Sequence, residues 1–397
     1  MPLRLVLVGI PTGHGWRRAA PDLDDWLRYG RPYGFFPVAV LVAAMRVAFV
    51  SMETSRHRDA EGIHRIERVA RTLADAGHDV TVFCAGWWDG YEDRRVVDGV
   101  TYHAVTISPA VSSFCTRIPF LLARYRPDVI HASPRIPKVA VYASIGGTLA
   151  RAPTVVDWFG DEALPESRAA RRAVTWPDHV VTPSELVRTH VRERGATEET
   201  TSVIPQAVDF DRIRGVDPDE KIDVAFAHRL DETANAESLL LALAELREKD
   251  WTATIVGDGP ERYTIENEVA DLRIDDRVEF AGACTRDERI AIYRGAHVFV
   301  QTATEENFAT ELLWALACGC VGIVEYQAES SAHELIETRE RSFRATNPQQ
   351  IADAIVEAGD YGRRSVDERF EEFDEGPIAE RYLDRYERLV GAHGVLG

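Results

Sequence analysis

From Met45 onward the chain alternates short apolar runs with amphipathic ones. "RVAFVSM" reads as a buried strand. "GIHRIERVARTLADAG" after it repeats apolar residues at helical spacing, with Ile63, Ile66, Val69, Ala70 and Leu73 on one face and Gly77 as the stop. Strand "HDVTVFCAG", helix 116–125, strand "DVIHAS", helix 136–150 and strands "TVVDWFG" and "HVVTPS" follow. The alternation halts at "VIPQAVDFDRIRGVDPDE", rich in Pro and Asp, and restarts at "KIDVAFAHR". Helices at 236–248, 260–272, 285–295 and 309–318 then alternate with strands "TATIVGDG", "RVEFAGA", "HVFVQTA" and "VGIVEY". Strands that are apolar on both faces, with helices between them, make parallel sheets covered on both sides. Two such series predict two doubly wound α/β domains facing one cleft, over 45–208 and 209–375, with a closing amphipathic helix and tail at 376–397. Residues 1–44 carry neither period and read as an upstream translation artefact or a disordered tail, with Met45 as the natural start.

A length of 397 residues suits two such cores. The formal net charge is −19, and lysine occurs only at 138, 221 and 249, so nearly all the basic charge is arginine. Such a surface repels nucleic acid and anionic lipid, and a nucleic-acid partner is excluded on that ground. Acidity with arginine for lysine suits a halophilic, for instance haloarchaeal, cytosol; a GC-rich coding bias with an acidic surface is the other reading. The five cysteines are scattered and form no CxxC pair, so they suggest neither a disulfide framework nor a zinc site. A cytoplasmic protein is expected. The most apolar run, "YGFFPVAVLVAAM", is too short to span a bilayer and ends at Arg46.

The stretch with the most chemical promise is "EENFATELLWALACG", residues 305–319. Two glutamates precede a short apolar helix, whose first N–H groups, at Phe308, Ala309 and Thr310, form an anion site. Asn307 or Thr310 would serve as its cap.

With "GHDVTVF", "PDVIHA", "SVIPQAVDFDRI", "HRLDE", "IVGDGPER", "DRVEFAGA", "AIYRGAHVFVQTA" and "HELIE" in this order, the chain resembles the retaining glycosyltransferases of the two-Rossmann (GT-B) fold, family 4 or glycosyl transferases group 1, over about residues 45–390. It is a divergent member. The resemblance implies transfer of a sugar from a nucleotide-sugar donor, with retention and without an obligatory metal or other cofactor. The acceptor would be a saccharide, a lipid-linked or a small molecule, with peripheral contact at the inner face of the membrane left open.

Carried over residue by residue, the family's phosphate-binding arginine is Arg229 and its sugar-gripping glutamate is Glu306. These are the expected catalytic residues. The lysine falls on Ala234, the ribose-gripping second glutamate on Trp314, the glycine before the arginine on His228, and the histidine of an H-G pair on Phe159. Glu311 either replaces the missing carboxylate or is a solvated acid. Trp314 either packs the helix or lines the base and ribose pocket. Asn307, Phe308, Ala309, Thr310 and Gly62 complete the expected substrate-binding set. Arg56, His57 and Arg58 of the first loop, and His131, Asp157, Asp161 and His179 near strand ends, are placed towards an acceptor. The two lost residues keep a second reading alive, a non-catalytic GT-B binding or regulatory protein.

Overall fold

The computed structural model describes residues 44–90, 92–160 and 167–395, so the extension expected over 1–44 lies, but for Ala44, outside the described residues. The first domain runs β1 (Arg46–Val50), α1 (Glu61–Asp75), β2 (Asp79–Ala85), β3 (Arg94–Val97), β4 (Val100–Thr106), α2 (Val111–Tyr125), β5 (Val129–Ala132), α3 (Pro137–Ala150), β6 (Thr154–Asp157), α4 (Arg168–Thr175), β7 (His179–Thr182), α5 (Glu185–Glu193) and β8 (Thr201–Val203). Its strands form one sheet in the order β3-β4-β2-β1-β5-β6-β7-β8. Only the β3–β4 hairpin is antiparallel. The five apolar positions expected to anchor α1 are all buried, and Arg65 is buried with them.

A short helix, α6 (Phe210–Gly215), lies in the linker. The second domain follows as β9 (Ile222–Ala227), α7 (Ala236–Glu245), β10 (Ala253–Val256), α8 (Arg262–Asp271), β11 (Val278–Gly282), α9 (Arg286–Gly295), β12 (Ala296–Gln301), β13 (Glu305–Glu306), α10 (Thr310–Ala317), β14 (Val321–Glu325), β15 (Glu329–Ser330), β16 (Ser342–Ala345) and α11 (Pro348–Ala358). The sheet order is β11-β10-β9-β12-β14-β16, parallel throughout, and the two-residue strands β13 and β15 pair by themselves. In both sheets the strand order reverses once, between β1 and β5 and between β9 and β12. Loops diverge from such a point and leave a crevice beyond the carboxyl ends of the strands.

The last helix, α12 (Glu375–Val395), returns to the first domain. Its Ile378, Ala379, Tyr382 and Tyr386 join the apolar cluster of Phe49, Ile66 and Val69. Under it lies a buried polar knot. Arg65 holds Asp157 at 2.9 Å and donates to the carbonyls of Ile204 and Pro205. Tyr382 donates to Asp157 at 2.6 Å, and His131 meets the Tyr386 hydroxyl at 2.6 Å. Burial raises the Asp157 carboxyl, but the Arg65 guanidinium, His131 and Tyr382 outweigh it and hold the group at about 2. A buried pair of this kind adds little net stability, yet removing one partner strands a charge at a cost of about 3–5 kcal/mol. His131 and Asp157, expected near an acceptor, thus fasten α12 to the first domain.

Candidate active site

His228 and Arg229 follow directly on the end of β9, and Gln301 ends β12, so all three border the crevice of the second sheet. Glu306 is suspended across it. Its carboxylate accepts from Gln301 Nε2 at 3.2 Å, and Oε2 lies 3.4 Å from His228 Nε2. Burial disfavours a charged His228 ring, but Glu306, the Arg229 carbonyl and Asp231 outweigh it and raise the imidazole above its usual value. The structure therefore brings together the expected Glu306 and a basic side chain that sequence reasoning passed over, reading His228 only as a lost glycine.

The loop that carries His228 and Arg229 is braced by "GDGP". His228 N–H donates to the Val256 carbonyl and Leu230 N–H to that of Asp258. Gly257 has φ +125°, and a Cβ there would lie 1.9 Å from the His228 carbonyl oxygen, so only glycine allows this approach. Arg229 itself stands free of the core, its side chain 73 % exposed and 3.3 Å from Asp231. That leaves the guanidinium fork available to a diphosphate. Ala234, at the position of the family's lysine, is fully buried with Leu230 and Leu239. A lysine there would have to enter the core.

The start of α10 differs from the expectation. Its cap is Ala309, with no side chain closing it; neither Asn307 nor Thr310 caps the helix. Thr310 N–H already donates to the Phe308 carbonyl at 2.8 Å, which leaves it out of an anion site. Phe308 and Ala309 are buried, together with Phe159 of the first domain. Asn307 is an interdomain post. Its carbonyl accepts from Ser184 Oγ at 2.7 Å and Ser331 Oγ at 2.9 Å. A Cβ on Gly160, which has φ +106°, would come within 2.7 Å of its side chain.

Glu311 is not a solvated acid. Arg289 holds it at 2.7 Å, Arg286 at 3.1 Å and the Tyr293 hydroxyl at 2.5 Å. Burial raises its carboxyl, but the two guanidinium groups prevail and hold it below the usual range. Trp314 lies under Arg286, whose guanidinium carbon is 4.8 Å from the ring centroid, and is only 4 % exposed. Burial raises the carboxyl of Glu61, in the first turn of α1 next to Gly62, against the opposing pull of Arg68 and His64. The other first-loop candidates are internally engaged. Arg56 lies over Trp87, His57 ties Thr54 to the Gly86 carbonyl, and Arg58 pairs with Glu53. His179 bonds Ser202 within the sheet, burial pushing it down to about 4. Asp161 lies outside the described residues.

This architecture is shared. Residues 62–207 match the glycosyl transferase 4-like domain and residues 208–364 match glycosyl transferases group 1. Each half of the chain thus matches a glycosyl transferase domain family. Among its relatives, the 2-deoxystreptamine glucosyltransferase of Streptomyces kanamyceticus is 28 % identical over 32 % of this chain and 37 % of its own length. The alpha-monoglucosyldiacylglycerol synthase of Streptococcus pneumoniae is 27 % identical over 36 % of each chain. The chain thus spans little more than a third of the length of either relative. Among solved structures, Anabaena HepE in complex with UDP superposes with a TM-score of 0.69 at 19 % identity, over 87 % of this chain and 100 % of that one.

Proposed function

We propose that this glycosyltransferase moves a sugar from a nucleotide donor, with retention, to an acceptor held against the first domain. The single observation that carries the reading is Glu306, poised at the point where the second sheet reverses its strand order and held at one carboxylate oxygen by both His228 and Gln301. A carboxylate in that position accepts hydrogen bonds from sugar hydroxyls and fixes the ring while the bond to the diphosphate breaks. Breaking it leaves negative charge on the phosphate, which the Arg229 fork and a protonated His228 would stabilise. His228 is thereby the basic group nearest Glu306 where Ala234 supplies none. Binding of UDP by a protein of the same fold makes uridine diphosphate the first nucleotide to test. No metal is required in this scheme, and the acceptor class remains a saccharide, a lipid-linked or a small molecule.

The test is calorimetry with UDP and UDP-glucose, followed by nucleotide release on turnover. Glu306→Gln is expected to bind UDP normally and to lose at least tenfold in turnover. A protein that binds no nucleotide sugar at millimolar concentration would be the non-catalytic alternative.

A further inference from the structure

Helix α5 of the first domain is closed at its start by a residue of the second. Its first residue, Glu185, gives its backbone N–H to Glu334 Oε2 at 2.9 Å, and Leu186 gives its own to Glu334 Oε1 at 2.9 Å. Val187 N–H goes to the hydroxyl of Ser184, the cap residue, at 3.3 Å. One carboxylate thus takes two of the N–H groups that a helix start leaves unpaired, at the positive end of the helix dipole. Ser184 lies just beyond the carboxyl end of β7, so the contact forms at the edge of the first sheet that borders the cleft.

Behind Glu334 the bonds run to Glu306. Glu334 belongs to a short 3-10 turn, Ala332–Leu335, and its N–H donates to the Ser331 carbonyl at 3.0 Å. Ser331 N–H donates to the Glu306 carbonyl at 2.8 Å, and Ser331 Oγ to the Asn307 carbonyl at 2.9 Å. Ser330 is the register partner of Glu306 in the β13–β15 pair. Ser330 and Ser331 are both buried, so these bonds are shielded from water. A ladder of two residues on each side is too short to fix a backbone by itself. Its place is set by whatever holds β15 and the turn after it, and Glu334 ties that turn to the first domain. An exposed pair, His190 with Glu329 at 3.6 Å, joins α5 to β15 beside it.

We infer that Glu334 is a positioning residue for the transfer: it clips the second domain to the start of α5, and through Ser331 and β15 the clip sets the backbone that carries Glu306. Glu334 acts on the sugar only through Glu306. Separating the domains breaks both of its bonds and leaves β13 with its short ladder, so the sugar is gripped in full only when the cleft is closed. The positioning rests on the reading of Glu306 given above; the clip does not.

The experiment follows UDP release from UDP-glucose, UDP binding by calorimetry and small-angle X-ray scattering in Glu334→Ala, Glu334→Gln and His190→Gln. Glu334→Ala should lose about tenfold in kcat, as for a slightly misplaced reacting group, with UDP affinity unchanged and a larger radius of gyration. Glu334→Gln keeps one acceptor oxygen and should fall between Glu334→Ala and the unaltered protein; it carries the comparison if Glu334→Ala does not fold. His190→Gln loosens the same interface at an exposed pair and should leave turnover as it was. In a Glu306→Gln background Glu334→Ala should cost nothing further, because its effect passes through Glu306. Turnover unchanged in both Glu334 variants, or lost by the same factor with and without Glu306, overturns the inference. So does an equal loss in His190→Gln, which would make any loosening of the interface sufficient. Unaltered protein that binds UDP-glucose but releases no UDP refutes the transfer reading, and scattering then decides the clip: a larger radius in Glu334→Ala supports it and an equal one overturns it.

Discussion

His228 Nε2 lies 3.4 Å from Glu306 Oε2, and the two residues come from loops on opposite sides of the strand-order reversal. The imidazole is raised above its usual value, so the pair's contribution is complete below the ordinary histidine range and fades as pH climbs through the raised value. UDP affinity should therefore fall as pH rises through that raised value. In His228→Asn it should stay flat over the same range, and the melting-temperature gap between the two proteins should close. Calorimetry at several pH values checks the first and thermal melts the second; parallel curves for both proteins would remove His228 from the site.

Arg229→Ala should weaken UDP binding by about 1.5–3 kcal/mol, as for a lost charge-assisted hydrogen bond. Its effect on stability should stay below about 0.5 kcal/mol, because the side chain is exposed and its half-buried partner Asp231 keeps its bonds to Thr233. Titration and melting of one purified variant read both numbers.

Trp314→Glu restores the carboxylate of the related transferases in sequence but not in space. The ring is buried under Arg286, one turn from Glu311, so the substitution removes an aromatic from the core and places a second acid beside the first. A loss of about 3 kcal/mol or more is expected, against less than about 1.5 kcal/mol for Trp314→Phe. Thermal melts should rank the two variants in that order.

Much of this architecture can be read from the chain. Strands such as "RVAFV" and "VGIVE" are buried on both faces, and a continuous apolar run announces them. The hairpin strand β3 lies at the sheet edge with Arg94, Arg95 and Val96 exposed, so its pattern carries no buried face to detect. Helix α4 buries only two alanines and a valine, and its arginines obscure the period. At the site, Arg229 and Glu306 are locatable from motif spacing. The partnership of His228 with Glu306 is not, because it spans 78 positions that only the fold brings together. The Glu311 group had a legible signal. Arg286, Arg289 and Tyr293 recur at helical spacing on one face of α9, a ready-made socket for an acid.

Gly160→Ala should act on the interface rather than on either sheet. It adds a methyl 2.7 Å from Asn307 and forces a left-handed backbone on alanine. Pairing it with Asn307→Ala should recover part of the loss, the steric part, leaving the backbone strain. A double-mutant cycle on melting temperature should give a coupling of about 0.5–3 kcal/mol; strict additivity would show that the two residues do not meet.

The chain crosses between its domains twice, once before β9 and once before α12, and the crossings run side by side: Val208 N–H donates to the Phe373 carbonyl at 2.9 Å and Phe210 N–H to Asp374 at 3.0 Å. Two spans riveted together behave as a door hinge. They resist sliding and pulling apart, and they leave rotation about one axis as the soft movement. The carboxyl end of the chain therefore travels with the opening domain, not with the one that precedes it in sequence. A fluorophore on α12 paired with one on α11 would report the swing of the door, whereas the same fluorophore paired with one on α1 would stay at constant distance throughout.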